Sequence, residues 1–364
     1  MAGNSNLNSA KTARKDEFYT QLSDIEKEMR HYRKHFQGKT VFCNCDDPFE
    51  SNFFKYFVLN FNRLGLKKLI ATCYAGSPIA NQQLSLFDIV GNTKESKNKP
   101  YKAIVTAVYD KTGDGGVSML DVAELFKSGE NELTELEGDG DFRSPECLAL
   151  LDEADIVVTN PPFSLFREYI SLLLKKKKSF IVMGNINGCK YKETFPLIRD
   201  NIMWPGYNFN QLYEYKVPDY YSFVEGKYRV DEKGNYFIKV PGICWFTNLD
   251  LKKRHEFLIL VRHFSPDAFP SYTNFDGIDV TTINDIPCDY AGMMGVPISF
   301  MGSYNPDQFE IIGLGEGDLA KEIGVTRNHE GRTKLEYSTS NGSYKRPYAR
   351  LVIRNRHPEK PTEG

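Results

Sequence analysis

Short apolar runs that alternate with helix-like segments are the feature that most constrains the fold of this chain. Four such runs lie at residues 40–45, 67–74, 154–159 and 179–184, and each is too short for a helix. A polar loop and a helix-like stretch follow the first and the third run, as in parallel strands joined by crossover helices. The sequence therefore predicts an open, mostly parallel α/β sheet covered on both faces, with ligands bound outside the carboxyl ends of its strands.

The tetrapeptide Asn160-Pro161-Pro162-Phe163 follows the third of these runs. The prolines fix φ and restrict the preceding residue, so the loop holds its carbonyl groups in a set direction. The Asn160 side-chain carbonyl and the Pro161 backbone carbonyl can then accept from one NH2 group conjugated to a planar ring, and Phe163 can stack on that ring. A proline-rich turn without chemistry is the simpler interpretation, and four residues alone do not decide between the two.

Charge is distributed unevenly along the 364 residues, although the formal net charge is only −2. Residues 110–155 contain fourteen acidic and three basic side chains, whereas residues 321–364 contain ten basic and five acidic ones. A nearly neutral total can therefore include a basic surface able to contact phosphate. The composition changes after about residue 205: residues 207–240 are rich in Tyr, Phe, Val and Lys, which indicates antiparallel ribbons. We place a domain boundary near residue 250 and expect a disordered basic arm at residues 1–15.

Cysteine usage and hydropathy indicate the class of protein. There is no signal peptide and no apolar run long enough to span a bilayer, so we expect a cytoplasmic protein that does not associate with membranes. The seven cysteines lie mostly in apolar runs and are predicted to be reduced core thiols. Cys43-Asn44-Cys45 has no second Cys/His pair to complete a zinc set, so we predict no metal site.

Four separated segments resemble, in the same order, the EcoRI-type adenine-specific DNA methyltransferases of restriction–modification systems. The segments are Asp16-Glu17-Phe18-Tyr19-Thr20-Gln21, then Cys43-Asn44-Cys45-Asp46-Asp47-Pro48 with Ser51-Asn52-Phe53, then Asn160-Pro161-Pro162-Phe163-Ser164, and Gly295-Val296-Pro297-Ile298-Ser299-Phe300 with Tyr304-Asn305-Pro306-Asp307-Gln308-Phe309-Glu310. The resemblance spans almost the whole chain. It implies a Rossmann-like class I methyltransferase domain at residues 16–250, followed by a smaller mixed target-recognition domain at residues 251–364.

The resemblance also implies the cofactor S-adenosylmethionine and the residues that bind it. Phe18, Tyr19 and Thr20 are expected beside its methionine end, and Asp47 with Pro48 beside its ammonium group. Asp141 and Phe142 are expected at its adenine ring. The chain departs from the wider methyltransferase pattern at two places. After Asp47-Pro48-Phe49, Glu50-Ser51-Asn52 stand where glycines usually follow. The second strand ends Ala71-Thr72-Cys73-Tyr74, without the acidic residue that holds the ribose hydroxyls in many relatives, so the residue that binds the ribose is not identified.

The implied reaction is transfer of a methyl group to N6 of an adenine flipped out of double-stranded DNA. Trp245 and Phe246 are expected to help enclose the flipped base, although core packing is at least as good an interpretation for either one. Double-stranded DNA is therefore the expected partner. A restriction endonuclease that acts on the same site is a further candidate partner, and the sequence does not show whether one exists. Five cations of the C-terminal segment are predicted to contact DNA: Lys345, Arg346, Arg350, Arg354 and Arg356.

Other functions fit parts of the sequence less well. N4-cytosine DNA methyltransferases tend to have Ser in place of Asn160, and protein glutamine methyltransferases need no basic C-terminal domain. Pro218-Asp219 with Glu225-Gly226-Lys227 imitates a metal-dependent nuclease motif, with a short gap between the acids. A DNA-binding protein without catalysis would not need the cofactor segments. Neither the recognition sequence nor the oligomeric state follows from the sequence.

Overall fold

The computed structural model describes residues 20–45, 51–73, 100–217 and 228–360. The chain divides into two compact units, the first made of Met1–Ile186 with Gln211–Leu249 and the second of Asn187–Asn210 with Asp250–Gly364. One division follows Leu249, and residues 187–210 join the second unit, which the sequence did not indicate. The expected domain boundary near residue 250 stays a prediction. Across the described ranges, every helix is too short or too polar for a bilayer span.

The described helices and strands are short, and we number them in chain order. The helices are α1 (Leu22–Met29), α2 (Arg33–Phe36), α3 (Asn52–Leu59), α4 (Phe61–Leu64), α5 (Met119–Lys127), α6 (Pro145–Glu153), α7 (Phe166–Lys175), α8 (Phe195–Arg199) and α9 (Asp318–Glu322). The strands are β1 (Thr40–Cys43), β2 (Lys68–Thr72), β3 (Tyr101–Val105), β4 (Glu132–Glu135), β5 (Ile156–Thr159), β6 (Ser179–Asn185), β7 (Trp204–Pro205), β8 (Tyr213–Val217), β9 (Tyr228–Val230), β10 (Tyr236–Val240), β11 (Ile243–Thr247), β12 (Ile278–Asp279), β13 (Met293–Pro297), β14 (Phe309–Leu314), β15 (Tyr337–Ser338), β16 (Tyr344–Lys345) and β17 (Arg350–Asn355).

The first unit is built on a mixed sheet whose strands run in the order β4-β3-β2-β1-β5-β6-β11. Strand β1 pairs in parallel with both β2 and β5, and β5 pairs in parallel with β6. Strands β3, β4 and β11 add antiparallel edges to this parallel centre. This arrangement confirms the expected α/β class and the four strands predicted from apolar runs. All residues of β1 and β5 are buried, which explains their apolar sequences.

The strand order reverses at β1. From β1 the chain proceeds to β2 on one side, and it later returns to β5 on the other side of β1. Loops that leave neighbouring strands in opposite directions open a crevice at the carboxyl ends, and ligands of open α/β sheets bind in such crevices. The ends of β1 and β5 are therefore the place where a site is expected.

Serine caps begin the helices near this edge. The Ser51 hydroxyl accepts from the Phe53 N–H at 3.0 Å before α3, and the Ser144 hydroxyl accepts from the Cys147 N–H at 3.2 Å before α6. Such caps satisfy amide donors that the first helical turn leaves unpaired. A separate antiparallel sheet, ordered β8-β10-β9, also belongs to the first unit. It matches the antiparallel ribbons that the aromatic and β-branched residues in this part of the sequence indicate.

The second unit contains a smaller mixed sheet in the order β12-β13-β17-β14. Strand β17 lies between β13 and β14 and is antiparallel to both, while β12 is parallel to β13. Its core cluster comprises Tyr272, Ala320, Val325, Leu335, Tyr337 and Val352. The predicted mixed character of the C-terminal domain therefore agrees with the observed strands.

Candidate active site

Asn44 ties together the ends of three neighbouring strands. It follows β1 directly and is fully buried. Its side-chain oxygen accepts a hydrogen bond of 3.0 Å from the Thr72 hydroxyl at the end of β2, and its backbone carbonyl accepts from the Thr159 hydroxyl at the end of β5. The carboxyl edge is thereby fixed on both sides of the point where the strand order reverses.

Two further features of this strand end indicate a ligand site. The Asn44 Nδ2 donor is buried and has no hydrogen-bond partner among the residues that the structure describes. Cys45, the next residue, has a φ of 70°, a left-handed conformation uncommon for residues other than glycine. Sequence reasoning missed Asn44 as a functional residue, although a polar residue that ends a buried apolar run is a usable signal.

The Asn160–Phe163 loop begins directly after β5 at the same edge. Asn160, Pro162 and Phe163 are partly exposed, whereas Pro161 is buried. A 3-10 turn, Phe163–Leu165, follows, and in it the Pro162 carbonyl accepts from the Leu165 N–H at 2.9 Å. The turn therefore uses the Pro162 carbonyl, while the two acceptors predicted to hold an amine, on Asn160 and Pro161, precede it.

A glycine loop lies against the end of β2. Gly140 has a φ of 79°, and a Cβ atom placed there would lie 2.1 Å from the carbonyl oxygen of Cys73. The Gly140 carbonyl accepts from the Cys147 thiol at 3.6 Å, which anchors the loop to α6. Only glycine allows the two backbones to approach so closely, and the approach carries Asp141 to the carboxyl edge.

Asp141 is held by Arg143. Arg143 Nη2 lies 2.7 Å from Asp141 Oδ2, and Arg143 Nε donates to Asp141 Oδ1 at 2.8 Å. Arg143 also contacts Glu168 at the start of α7, at 3.2 Å. The hydrogen bond from Arg143 holds the pKa of Asp141 below its usual value, so this carboxylate is ionised at neutral pH. Because 23% of its side chain remains exposed, it can also accept from a ligand.

Phe142 and Thr20 contact protein groups. Phe142 is buried and meets Tyr169 edge to face, with ring centroids 5.0 Å apart. The buried Thr20 hydroxyl donates to the Met183 sulfur at 3.0 Å, and its carbonyl accepts from the Asn52 amide at 2.8 Å. Their predicted cofactor contacts stay predictions. The other predicted cofactor residues lie outside the described residues: Phe18, Tyr19, Asp47 and Pro48.

Trp245 and Phe246 lie in the core of the first unit, and both are fully buried. The Trp245 ring packs on Phe53 at 5.7 Å between centroids, and the Phe246 ring packs on Phe166 at 4.9 Å. Within the described residues, the Trp245 indole N–H has no hydrogen-bond partner. In this conformation neither ring has an exposed face that a base could contact. The role of the two rings around a flipped base stays a prediction.

Arg350 requires a correction among the five predicted DNA contacts. Its guanidinium forms two hydrogen bonds to Asp279, of 2.8 and 3.1 Å, and its side chain is only 11% exposed. Asp279 is completely buried and also accepts from the Tyr272 hydroxyl at 2.7 Å. If Arg350 moved away to contact DNA, the buried Asp279 carboxylate would lose its charged partner, which is energetically costly. We therefore assign Arg350 to the core of the second unit.

The other four cations differ in how firmly they are held. Arg346 pairs with Glu330, and Arg354 lies 3.5 Å from Glu310. Arg356 Nε donates to two backbone carbonyls, at 3.0 and 3.2 Å. Lys345 is exposed, and its ammonium lies 5.9 Å from the centroid of an aromatic ring. These interactions do not test the predicted contacts of the four cations with DNA, which stay predictions. The exposed Lys345 is the most readily available of the four for such a contact.

Comparison with known proteins identifies the family. The profile of the family described as adenine-specific methyltransferase EcoRI matches residues 6–356. The chain is 40% identical over 362 residues to the Type II methyltransferase M.EcoRI of Escherichia coli, covering 99% of both chains. It is 34% identical to the Type II methyltransferase M.MpnI of Mycoplasma pneumoniae, covering 96% of this chain and 98% of the relative. No solved structure gives a significant match.

These similarities confirm the resemblance inferred from the four sequence segments, and with it the enzyme class. Adenine specificity agrees with Asn160 at the start of the tetrapeptide. With a match over nearly its whole length, the chain belongs to the EcoRI family of adenine-specific methyltransferases.

Proposed function

We propose that this enzyme transfers a methyl group from S-adenosylmethionine to N6 of an adenine flipped out of duplex DNA. One observation carries the proposal: the Asn160–Phe163 loop and the Asn44 strand end meet where the strand order reverses. In this proposal the first unit is a Rossmann-like methyltransferase domain, and the crevice at the reversal holds both the cofactor and the target base.

The residues at the edge fit such a cofactor. The buried Asn44 Nδ2, which has no partner in the described part of the chain, is a donor that a ligand oxygen or ring nitrogen can satisfy. The glycine loop packs closely against the end of β2 and presents the ionised Asp141, which can accept from an exocyclic amine. Asp47, Phe18 and Tyr19 complete the proposed set on the strength of the sequence segments. When bound, S-adenosylmethionine supplies an electrophilic methyl group carried on a sulfonium.

The Asn160–Phe163 loop orients the target amine. The Asn160 side-chain carbonyl and the Pro161 backbone carbonyl accept its two hydrogens, which favours a tetrahedral nitrogen with an available lone pair. The partly exposed Phe163 ring stacks on the base. Because the prolines and the following 3-10 turn limit movement of these acceptors, positioning supplies most of the rate. Trp245 and Phe246 would line this pocket only after a local rearrangement.

We assign target recognition to the second unit, with the basic arm at residues 1–15 assisting. Lys345, Arg346, Arg354 and Arg356 are the proposed phosphate contacts. Since its relatives are Type II methyltransferases, we propose that the enzyme protects sites in a restriction–modification system and shares its recognition sequence with a partner endonuclease.

The proposal is tested with Asn160→Ala. We expect methylation of duplex DNA to fall by about 10²- to 10³-fold, because an acceptor at the reacting amine is lost, while calorimetry shows unchanged cofactor binding. Phe163→Ala should cost less, since a hydrogen-bonded base still enters the pocket. Ser164→Ala, at an exposed neighbouring position, is the matched control and should behave as wild type.

Mass spectrometry of the nucleosides identifies the product. N6-methyladenine is the expected product. Detection of N4-methylcytosine in its place would mean that the enzyme uses the same mechanism on cytosine. Near wild-type turnover by Asn160→Ala would show that this side chain does not hold the amine.

A further inference from the structure

Three metal-binding side chains that the proposed reaction does not use meet in the second unit. His263, Cys288 and Glu359 each offer a ligand atom, and these atoms all lie within 4.8 Å of one another. Asp289 joins them, because its Oδ2 lies 3.0 Å from His263 Nδ1. We call these four residues the His263–Glu359 cluster. The segments that supply them are far apart in the chain, so no spacing motif reveals the cluster in the sequence.

Backbone hydrogen bonds build the cluster around Cys288. The Cys288 N–H donates to the Arg262 carbonyl at 2.8 Å, which places His263 beside the thiol. The Glu359 N–H donates to the Cys288 carbonyl at 2.8 Å, and the Asp289 carboxylate accepts from the Phe264 N–H at 2.8 Å. The positions are therefore set by the main chain and do not depend on chance meetings of surface side chains.

The distances suit a tetrahedral ion. Cys288 Sγ lies 3.6 Å from His263 Nδ1. With Zn–S and Zn–N bonds of about 2.3 and 2.0 Å at tetrahedral angles, the two ligand atoms would be about 3.5 Å apart. Coordination through His263 Nδ1 would replace the hydrogen bond between this nitrogen and Asp289. A thiolate and an imidazole together favour zinc over magnesium or calcium, which take oxygen ligands.

Charge also favours a cation. Glu359 and Asp289 place two carboxylates beside Cys288 and His263. A divalent ion would stabilise the Cys288 thiolate and neutralise these carboxylates. Cys288 is 3% exposed, whereas the His263 side chain is 67% exposed, so an ion can enter from the solvent side.

We propose that the His263–Glu359 cluster binds one Zn²⁺ through Cys288 Sγ, His263 Nδ1 and a carboxylate oxygen of Glu359, with a water molecule in the fourth position. Binding releases the thiol proton, and the imidazole that coordinates is neutral. We assign the site a structural role, because its three ligands come from separate segments of the second unit. It fastens the segment after β17 to the loop before β13, and it is independent of methyl transfer.

The test uses the whole protein after removal of bound metal with a chelator. On addition of Zn²⁺ we expect one equivalent to be retained and the melting temperature to rise. Co²⁺ should give a thiolate-to-metal charge-transfer band. Cys288→Ser and His263→Gln should each lower zinc affinity at least about 100-fold and abolish the stabilisation.

Matched controls separate the cluster from other cysteines and histidines. His255→Gln alters another exposed histidine of the same unit, and Cys189→Ser alters another buried cysteine there. Both should keep the metal. Absence of the charge-transfer band in the wild type, or its persistence in Cys288→Ser, would refute the site. Because His263 is exposed, His263→Gln decides the question should Cys288→Ser fail to fold.

Discussion

Replacing Gly140 by Ala tests whether the glycine loop positions the cofactor. The new Cβ would lie 2.1 Å from the Cys73 carbonyl oxygen, and real Cβ atoms essentially never come closer than 3.0 Å, so the loop must retreat by about 0.9 Å. The left-handed φ costs about 1 kcal/mol for a residue with a side chain, and overpacking adds about 1–3 kcal/mol. A displacement of this size at a ligand contact should weaken cofactor binding at least about tenfold, which is about 1.4 kcal/mol.

Gly113→Ala is the matched control, because Gly113 has nearly the same φ, 77°, with nothing within 4 Å of its Cβ position. It should lose about 1 kcal/mol of stability in urea unfolding and keep its cofactor affinity. The difference between the two variants isolates the contact with Cys73. Wild-type affinity in a folded Gly140→Ala protein, measured by calorimetry, would refute the assignment of this loop to the cofactor site.

Three further predictions concern charged groups. Arg350→Met should reduce the free energy of unfolding by about 3–5 kcal/mol in urea titrations, because it leaves the Asp279 carboxylate buried without its partner. The pKa of Asp141, measured by NMR, should lie below the usual aspartate value of about 3.9, and Arg143→Gln should raise it. The stability that Asp141 contributes is therefore fully present above about pH 3.9 and is lost as the pH falls through the lower pKa of the folded state. Lys345→Gln should lower the slope of log affinity for DNA against log salt by about one.

Controls follow from the same contacts. Arg354→Gln, at an exposed pair, should change stability by less than about 1 kcal/mol. An equal loss in Arg354→Gln and Arg350→Met would contradict the buried ion pair. An Asp141 pKa unchanged by Arg143→Gln would contradict the cause given for its shift. A salt slope unaffected by Lys345→Gln would remove this residue from the DNA interface.

The parallel centre of the sheet could be predicted from sequence because burial on both faces makes its strands continuous apolar runs. The runs at residues 40–45 and 154–159 became β1 and β5. Strand β4, with the sequence Glu132-Leu133-Thr134-Glu135, could not be recognised, since most of its side chains face solvent. The inclusion of residues 187–210 in the second unit depends on tertiary contacts that no local pattern encodes.

The candidate site could be proposed from sequence where its residues are consecutive in the chain, and the roles of these residues stay predictions. Asn160–Phe163 and the glycines before Asp141 are visible in the sequence because a rigid turn and a close backbone approach each require particular residue types. The role of Arg350 was not visible, because its partner Asp279 is 71 residues away. A run of cations indicates phosphate binding only when their charges are not already paired within the protein.

The hydrogen bonds of Asn44 have a consequence for local motion. Neighbouring strands whose loops diverge should open more readily at their ends, yet here one side chain and one carbonyl join β1 to both neighbours. The amides of this edge should therefore exchange with deuterium only by global unfolding, whereas other loop-flanked strand ends exchange through local fraying. Asn44→Ala removes only the side-chain link to Thr72, because the backbone carbonyl still accepts from Thr159. Deuterium exchange should therefore become faster at the joined ends of β1 and β2, while the β1–β5 side and the rest of the sheet keep their protection.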